Sequence, residues 1–142
     1  MNKNFAIGSI FIWIGFVAAI SFMEAWLKFR APGITLPLGL GIGRLVFAAL
    51  NKVEITLLLV TGVVLYPFNT LRLKTKISLL IPAVIVLLQT LWMLPVLDHR
   101  AELHITGADV PHSNIHLMYA VSEVVKVASL MTAGISLFRE KV

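Results

Sequence analysis

The stretch "ISLLIPAVIVLLQTLWMLPVL", Ile77 to Leu97, runs for 21 residues without a charged side chain. As a helix it would rise about 30 Å at ~1.5 Å per residue, which is the thickness of a bilayer's hydrocarbon core. Reading it as a membrane span decides the fold class, because three other stretches are of the same kind. These are Phe5 to Phe29, Leu36 to Phe68, and a last one reaching Phe138. The sequence therefore predicts an all-α, polytopic membrane protein with helices over residues 5–29, 36–68, 77–97 and 112–138. Short connections make consecutive helices neighbours of opposite direction. The expectation is a single domain over 1–142, an antiparallel four-helix transmembrane bundle whose first partner is the lipid bilayer.

Composition agrees. Of 142 residues, 58% are hydrophobic and 13% charged, and the mean hydropathy is +0.92. A soluble domain of this length buries only about two-thirds of the surface its unfolded chain exposes, too little to hide so much hydrocarbon. No repeated segments of alternating hydrophobicity suggest a β-barrel. The first stretch is too long for a signal peptide and ends in Glu24-Ala25-Trp26 without a small-residue cleavage site. The absence of cysteine excludes disulfides and thiolate metal sites. The net charge of +5 would suggest nucleic acid in a soluble chain. Here the basic residues flank the spans, where lipid headgroups and topology account for them, and no nucleic-acid partner is expected.

"RAPGITLP" separates the first two helices, with Thr35 a candidate cap and Pro37 suited to a helix start. "PFNTLRLKTK" separates the second from the third, and "DHRAELHITGADVPHS" is the longest loop. Lys3, Arg72, Lys74, Lys76, Arg139 and Lys141 fall on one side; Lys28, Arg30, Arg100 and, at the start of the second helix, Arg44 fall on the other, with Asp98, Glu102 and Asp109. The positive-inside rule then predicts a multi-pass protein of the plasma (inner) membrane, with N- and C-termini cytoplasmic.

The start of the fourth helix breaks the apolar pattern. In "PHSNIHLMYAVSEVVK", His116, Tyr119, Glu123 and Lys126 follow His112 by 4, 7, 11 and 14 residues, the rhythm of one helix face. Each other helix also carries strong polar groups in the half nearer the presumed outer face. The first has Ser21, Glu24 and Lys28; the third has Gln89, Trp92, Pro95 and Asp98. In the second, Arg44, Asn51 and Glu54 lie within about 80° of one another on a helix of ~100° per residue. Glu24, Gln89, Tyr119 and Glu123 fall in one band, on the order of 10–16 Å from their helix ends. Ionisable groups in a membrane face the bundle interior or a wet cavity. The pattern thus predicts an outward-opening polar pocket lined by Glu24, Arg44, Asn51, Glu54, Gln89, Trp92, Asp98, Arg100, His112, His116, Tyr119, Glu123 and Lys126. Arg44 and Arg100 are candidates to receive an anionic group.

Several chemistries compete with plain structural pairing of Glu24 with Lys28, Arg44 with Asp98, and Glu123 with Lys126 or Lys52. A metal would call on His116, Glu123 and Glu24, but the Glu-x-x-His spacing of dimetal bundles is missing. Haem would need His99 or His116 as axial ligand. Acid–base chemistry on a lipid-like substrate would use Glu24, Glu54 or Glu123. A transmembrane proton path is disfavoured because polar residues thin out beyond Lys126. Gly39-x-x-x-Gly43 permits close helix approach, either within the chain or in a homo-oligomer. Trp13, Trp26, Trp92 and Tyr66 read as interface or packing aromatics.

Taken together, "MEAWLKFRAPG", "GIGRLVFAALNKVE", "LPVLDHRAE" and "IHLMYAVSEVVK" resemble a group of small, uncharacterised four-helix bacterial membrane proteins, classed as domains of unknown function. The resemblance implies a four-helix bundle and no particular activity. The functional expectation therefore rests on the polar band: binding of a small polar or amphipathic ligand or ion. The alternatives are a non-catalytic accessory subunit of a larger membrane complex, and a metal-, haem- or acid–base-dependent membrane enzyme.

Overall fold

The computed structural model describes residues 2–140. Every regular element among them is helical, and four helices are long and apolar enough to cross a membrane: α1 (Lys3–Arg30), α2 (Leu36–Leu65), α3 (Leu73–Ile105) and α4 (Ile115–Arg139). Asn2 caps α1 by accepting from the Phe5 N–H, and Thr35 caps α2 by accepting from the Leu38 N–H. The second helix stops at Leu65, three residues short of the expected 68. Pro67 has no N–H to carry it further, and Phe68–Thr70 form a short 3₁₀ turn instead.

Two expected boundaries move in ways that matter. Residues 98–105, expected in the long loop, are the last two turns of α3. The helix closes with a double bond pattern: the Ala108 N–H reaches the Leu103 carbonyl (2.9 Å) and the Gly107 N–H the His104 carbonyl (3.3 Å). Gly107, at φ +77°, supplies the left-handed residue this closure needs. At the other side of that loop α4 starts at Ile115, so His112 precedes the helix and the polar face begins at His116.

Neither α1 nor α3 is a uniform α-helix. Ala18–Glu24 and Gln89–Met93 are π-helical, each with a backbone bond spanning five residues: Ala25 N–H to Ile20 carbonyl, and Leu94 N–H to Gln89 carbonyl. Such segments widen the turn and commonly mark functional places. In α3 the π segment coincides with a change of neighbours. Before it, Leu73–Leu88 packs mainly on α4; after it, Leu94–Ile105 packs mainly on α2. The half of the molecule below the π segments is closed around an apolar core that includes Ile10, Val17, Leu65, Val86, Leu130 and Leu137. There Lys3 Nζ donates to the Glu140 carbonyl (2.7 Å), and Thr75 Oγ1 (2.6 Å) and the Arg72 N–H (3.3 Å) donate to Glu140 Oε1. This end gathers residues expected on one side of the membrane; Lys141, grouped with them, lies outside the described residues. It also shows polar side chains beyond Lys126, where the sequence pattern suggests that they thin out.

Pro82 illustrates how the closed half is held. A proline inside a helix leaves the carbonyl four residues earlier without its usual donor. That carbonyl belongs to Ser78, and Ser129 Oγ on α4 donates to it at 2.9 Å. Ser129→Ala should therefore destabilise the protein by about 1 kcal/mol, the order of a buried polar contact. Pro82→Ala in the same chain should recover most of that loss, because the substituted residue regains a backbone N–H and restores the intrahelical donor. A double-mutant cycle on reversible unfolding in detergent reads the coupling.

Candidate functional site

At mid-height all four helices converge on one buried lysine. Lys126, on α4, is inaccessible to solvent. Its ammonium donates to Glu54 Oε1 of α2 (2.5 Å), Gln89 Oε1 of α3 (2.7 Å) and Glu123 Oε1 one turn back on α4 (2.9 Å). Those three bonds use all the donors an ammonium has. The Gln89 amide nitrogen is equally committed, donating to Glu123 Oε1 (2.6 Å) and Ser122 Oγ (2.8 Å). From α1, Trp13 Nε1 donates to Glu54 Oε1 (2.8 Å) and Ser21 Oγ to Glu123 Oε2 (3.1 Å). Two carboxyl groups thus share one ammonium, and Glu54 Oε2 is buried without a hydrogen-bond partner.

Above this network lies a cavity of about 690 Å³ with walls from all four helices. Glu123 forms part of its floor, so the network and the cavity meet at one carboxylate. Asn51 and Thr90 line it from α2 and α3 and bond each other (2.9 Å). Tyr119 lines it from α4, its ring edge-on to Phe47 at 5.5 Å between centroids. Nearer the mouth are His116, Arg44 and Asp98. Arg44 holds Asp98 through two bonds (2.5 and 2.9 Å) and Glu102 through a third (3.3 Å), which pins the end of α3 to α2.

The thirteen residues expected to form a pocket divide accordingly. Arg44, Asn51, Asp98, His116, Tyr119 and Glu123 line the cavity. Glu54, Gln89 and Lys126 lie behind its floor, in the network. Glu24 sits at the margin, paired with the cavity-lining Lys28 at 3.2 Å. Three do not join. Trp92 is 46% exposed and lies outside the cavity wall, because the π segment resets the face that α3 presents. His112 lies on the exposed loop. Arg100 is a helical residue that donates to the Pro111 carbonyl (2.6 Å) and closes the loop. Arg44 is engaged by two carboxylates, whereas Arg100 gives one bond to a backbone carbonyl.

Trp13 is a network residue that the sequence pattern assigns to packing; a buried indole needs an acceptor, and the only signal is its position on the core face of α1. Gly39 and Gly43 make their close approach within the chain. A Cβ at Gly39 would strike the Phe29 ring, and one at Gly43 would meet Lys28 Nζ at 3.2 Å. The glycine face expected for a homo-oligomer is therefore covered by α1.

Of the two carboxylates in the network, Glu123 is fully engaged, while Glu54 keeps one oxygen without a donor. Glu123 takes donors at both oxygens, Glu24 is paired with Lys28, and no three His, Asp or Glu side chains come together as a metal-holding group among the described residues. The candidate metal set His116, Glu123 and Glu24 is not assembled. Removing the central cation is the informative perturbation. Lys126→Met should cost about 3–5 kcal/mol, because it leaves buried carboxylates uncompensated. Adding Glu54→Gln should return a large part of that, and chemical unfolding of both variants in detergent measures the difference.

No family model, curated protein or solved structure matches the chain, so the resemblance drawn from its four short stretches gains no family, and the site must be interpreted from its geometry.

Proposed function

We propose that this chain is an inner-membrane protein whose four helices form an antiparallel transmembrane bundle with both termini cytoplasmic. In this reading its function is to bind a small polar or amphipathic ligand in an intramembrane pocket open to the outer face. The observation that carries the proposal is the cavity itself. It is walled by all four helices, floored by Glu123 and backed by a buried charge network that keeps the floor fixed. Pockets of a few hundred to about 1,000 Å³ that are mostly apolar, with a few placed polar groups, are the usual form of a small-molecule site. Intramembrane charge is itself a functional indication. The orientation is supported by Lys3, Arg72 and Glu140 meeting at the end opposite the cavity mouth, together with Lys74, Lys76 and Arg139 in the flanking sequence.

The native sequence has no cysteine, so single cysteines report cleanly. In intact cells a membrane-impermeant thiol reagent added outside should label Asp109→Cys, in the loop beside the mouth, and spare Asn69→Cys, in the opposite loop. A small water-soluble reagent should also reach Ala120→Cys in the cavity wall and leave Val63→Cys, on a lipid-facing surface, unmodified. The reverse labelling pattern overturns the orientation. For binding, protein extracted from native membranes in mild detergent should retain a stoichiometric small molecule by mass spectrometry. Ala120→Trp, which fills the cavity, should lose it with helicity and elution volume unchanged. Equal retention by both proteins would count against a pocket and for an accessory-subunit role.

A further inference from the structure

Of the ionised groups lining the cavity, all but one are matched. Lys28 is paired with Glu24, Arg44 with Asp98 and Glu102, and Glu123 with Lys126. Lys52, an exposed residue of α2, also contributes to the cavity lining, and its ammonium has no side-chain partner among the described residues. Its depth makes this unusual. Lys52 is the seventeenth residue of the 30-residue α2, which puts it about 24 Å along a helix of ~45 Å. A lysine near a helix end can extend its ammonium to the membrane surface. From mid-helix, either end of α2 is ~20 Å away, beyond the few ångströms a lysine side chain spans. An isolated cation at that depth is costly and calls for a counter-charge.

The surroundings indicate what kind of anion. Asn51, next to Lys52 in α2, and Thr90 of α3 form a small polar patch in the wall and are bonded to each other. Most of the remaining wall is hydrocarbon, including Leu40, Phe47, Leu94 and Leu97. A fully polar solute would leave most of its hydrogen-bonding groups facing carbon. A molecule with one acidic head and an apolar body would satisfy both parts of the wall. The floor does not compete for the cation directly, since both Glu123 oxygens already accept donors.

Building on the pocket reading above, we propose that the ligand is an anionic amphiphile whose carboxylate or phosphate head pairs with Lys52 while its hydrocarbon lies along the apolar wall. A charge-assisted contact in such a setting is worth about ten- to a hundredfold in affinity.

The test uses the full chain in non-ionic detergent and native mass spectrometry. Four probes are compared at equal concentration: oleate, oleyl phosphate, oleyl alcohol and inorganic phosphate. Wild type should take up oleate and oleyl phosphate one per chain, and oleyl alcohol at least about tenfold more weakly. Lys52→Met should lose about tenfold for the two acids and leave the alcohol unchanged, while Lys52→Arg keeps acid binding. Equal binding of acids by Lys52→Met and wild type overturns the assignment. Inorganic phosphate binding as tightly as oleyl phosphate overturns the amphiphile and leaves a free anion. Ala120→Trp separates this failure from that of the pocket. If acids and alcohol bind alike and both are lost on filling the cavity, the pocket stands and the role of Lys52 falls. If binding of every probe survives Ala120→Trp, or none binds wild type, both fall.

Discussion

The structure depends on one lysine that has nowhere to go. Lys126 is fully enclosed and three helices must each bring an acceptor to it: Glu54, Gln89 and Glu123. Hydrophobic association gives little direction in a membrane, where lipid is as apolar as leucine. A buried cation is different, because it tolerates very few arrangements of its neighbours. Sliding α2 or α3 by one residue would carry Glu54 or Gln89 about 100° around its helix and away from the ammonium. Trp13 and Ser21 extend the same constraint to α1 through the two carboxylates. One side chain thus fixes the relative register of all four helices, and a one-residue error leaves a charge unmet.

That constraint also explains why the cavity lies where it does. Below the network the helices close on hydrocarbon; above it α3 leaves α4 and turns to α2, where Arg44 holds Asp98 and Glu102. The space between has Glu123 at its floor and Tyr119 and Phe47 in its wall, with Arg44 and Asp98 nearer the mouth. The floor and the tethered rim are held by different contacts, the Lys126 bonds below and the Arg44 bridges above.

Much of this is legible in the residues. The four apolar stretches are obvious from length, and the spacing of Tyr119, Glu123 and Lys126 marks one face of α4. Glu54 and Gln89 stand out because a charged or amide side chain deep in an apolar run needs a partner. What is not legible is which partner each chooses, since that depends on the rotation of one helix against another. Arg44 and Asp98 can be paired by charge alone, whereas Glu123 has two lysines to choose between. Trp13 is hidden because an indole serves equally well as a packing residue and as a donor. The extension of α3 to Ile105 escapes the pattern because polar residues after Leu97 suggest a loop; Gly107, two residues past the helix end, is the overlooked signal. Hydrophobic periodicity does not mark a π turn, and so the outward position of Trp92 could not be foreseen.

The π segments have one more consequence, which concerns how the sequence is partitioned. An extra residue in a turn shifts the phase of everything after it by roughly 100° relative to an unbroken α-helix. In α1 and α3 the positions that pack the closed half and those that wall the open half therefore follow two different hydrophobic frames along one helix. A substitution pattern suited to the first frame says nothing about the second. The two halves of each helix accordingly answer to different neighbours: the lower half to the apolar core and to the bonds of Trp13, Thr75 and Ser78, the upper half to the cavity wall.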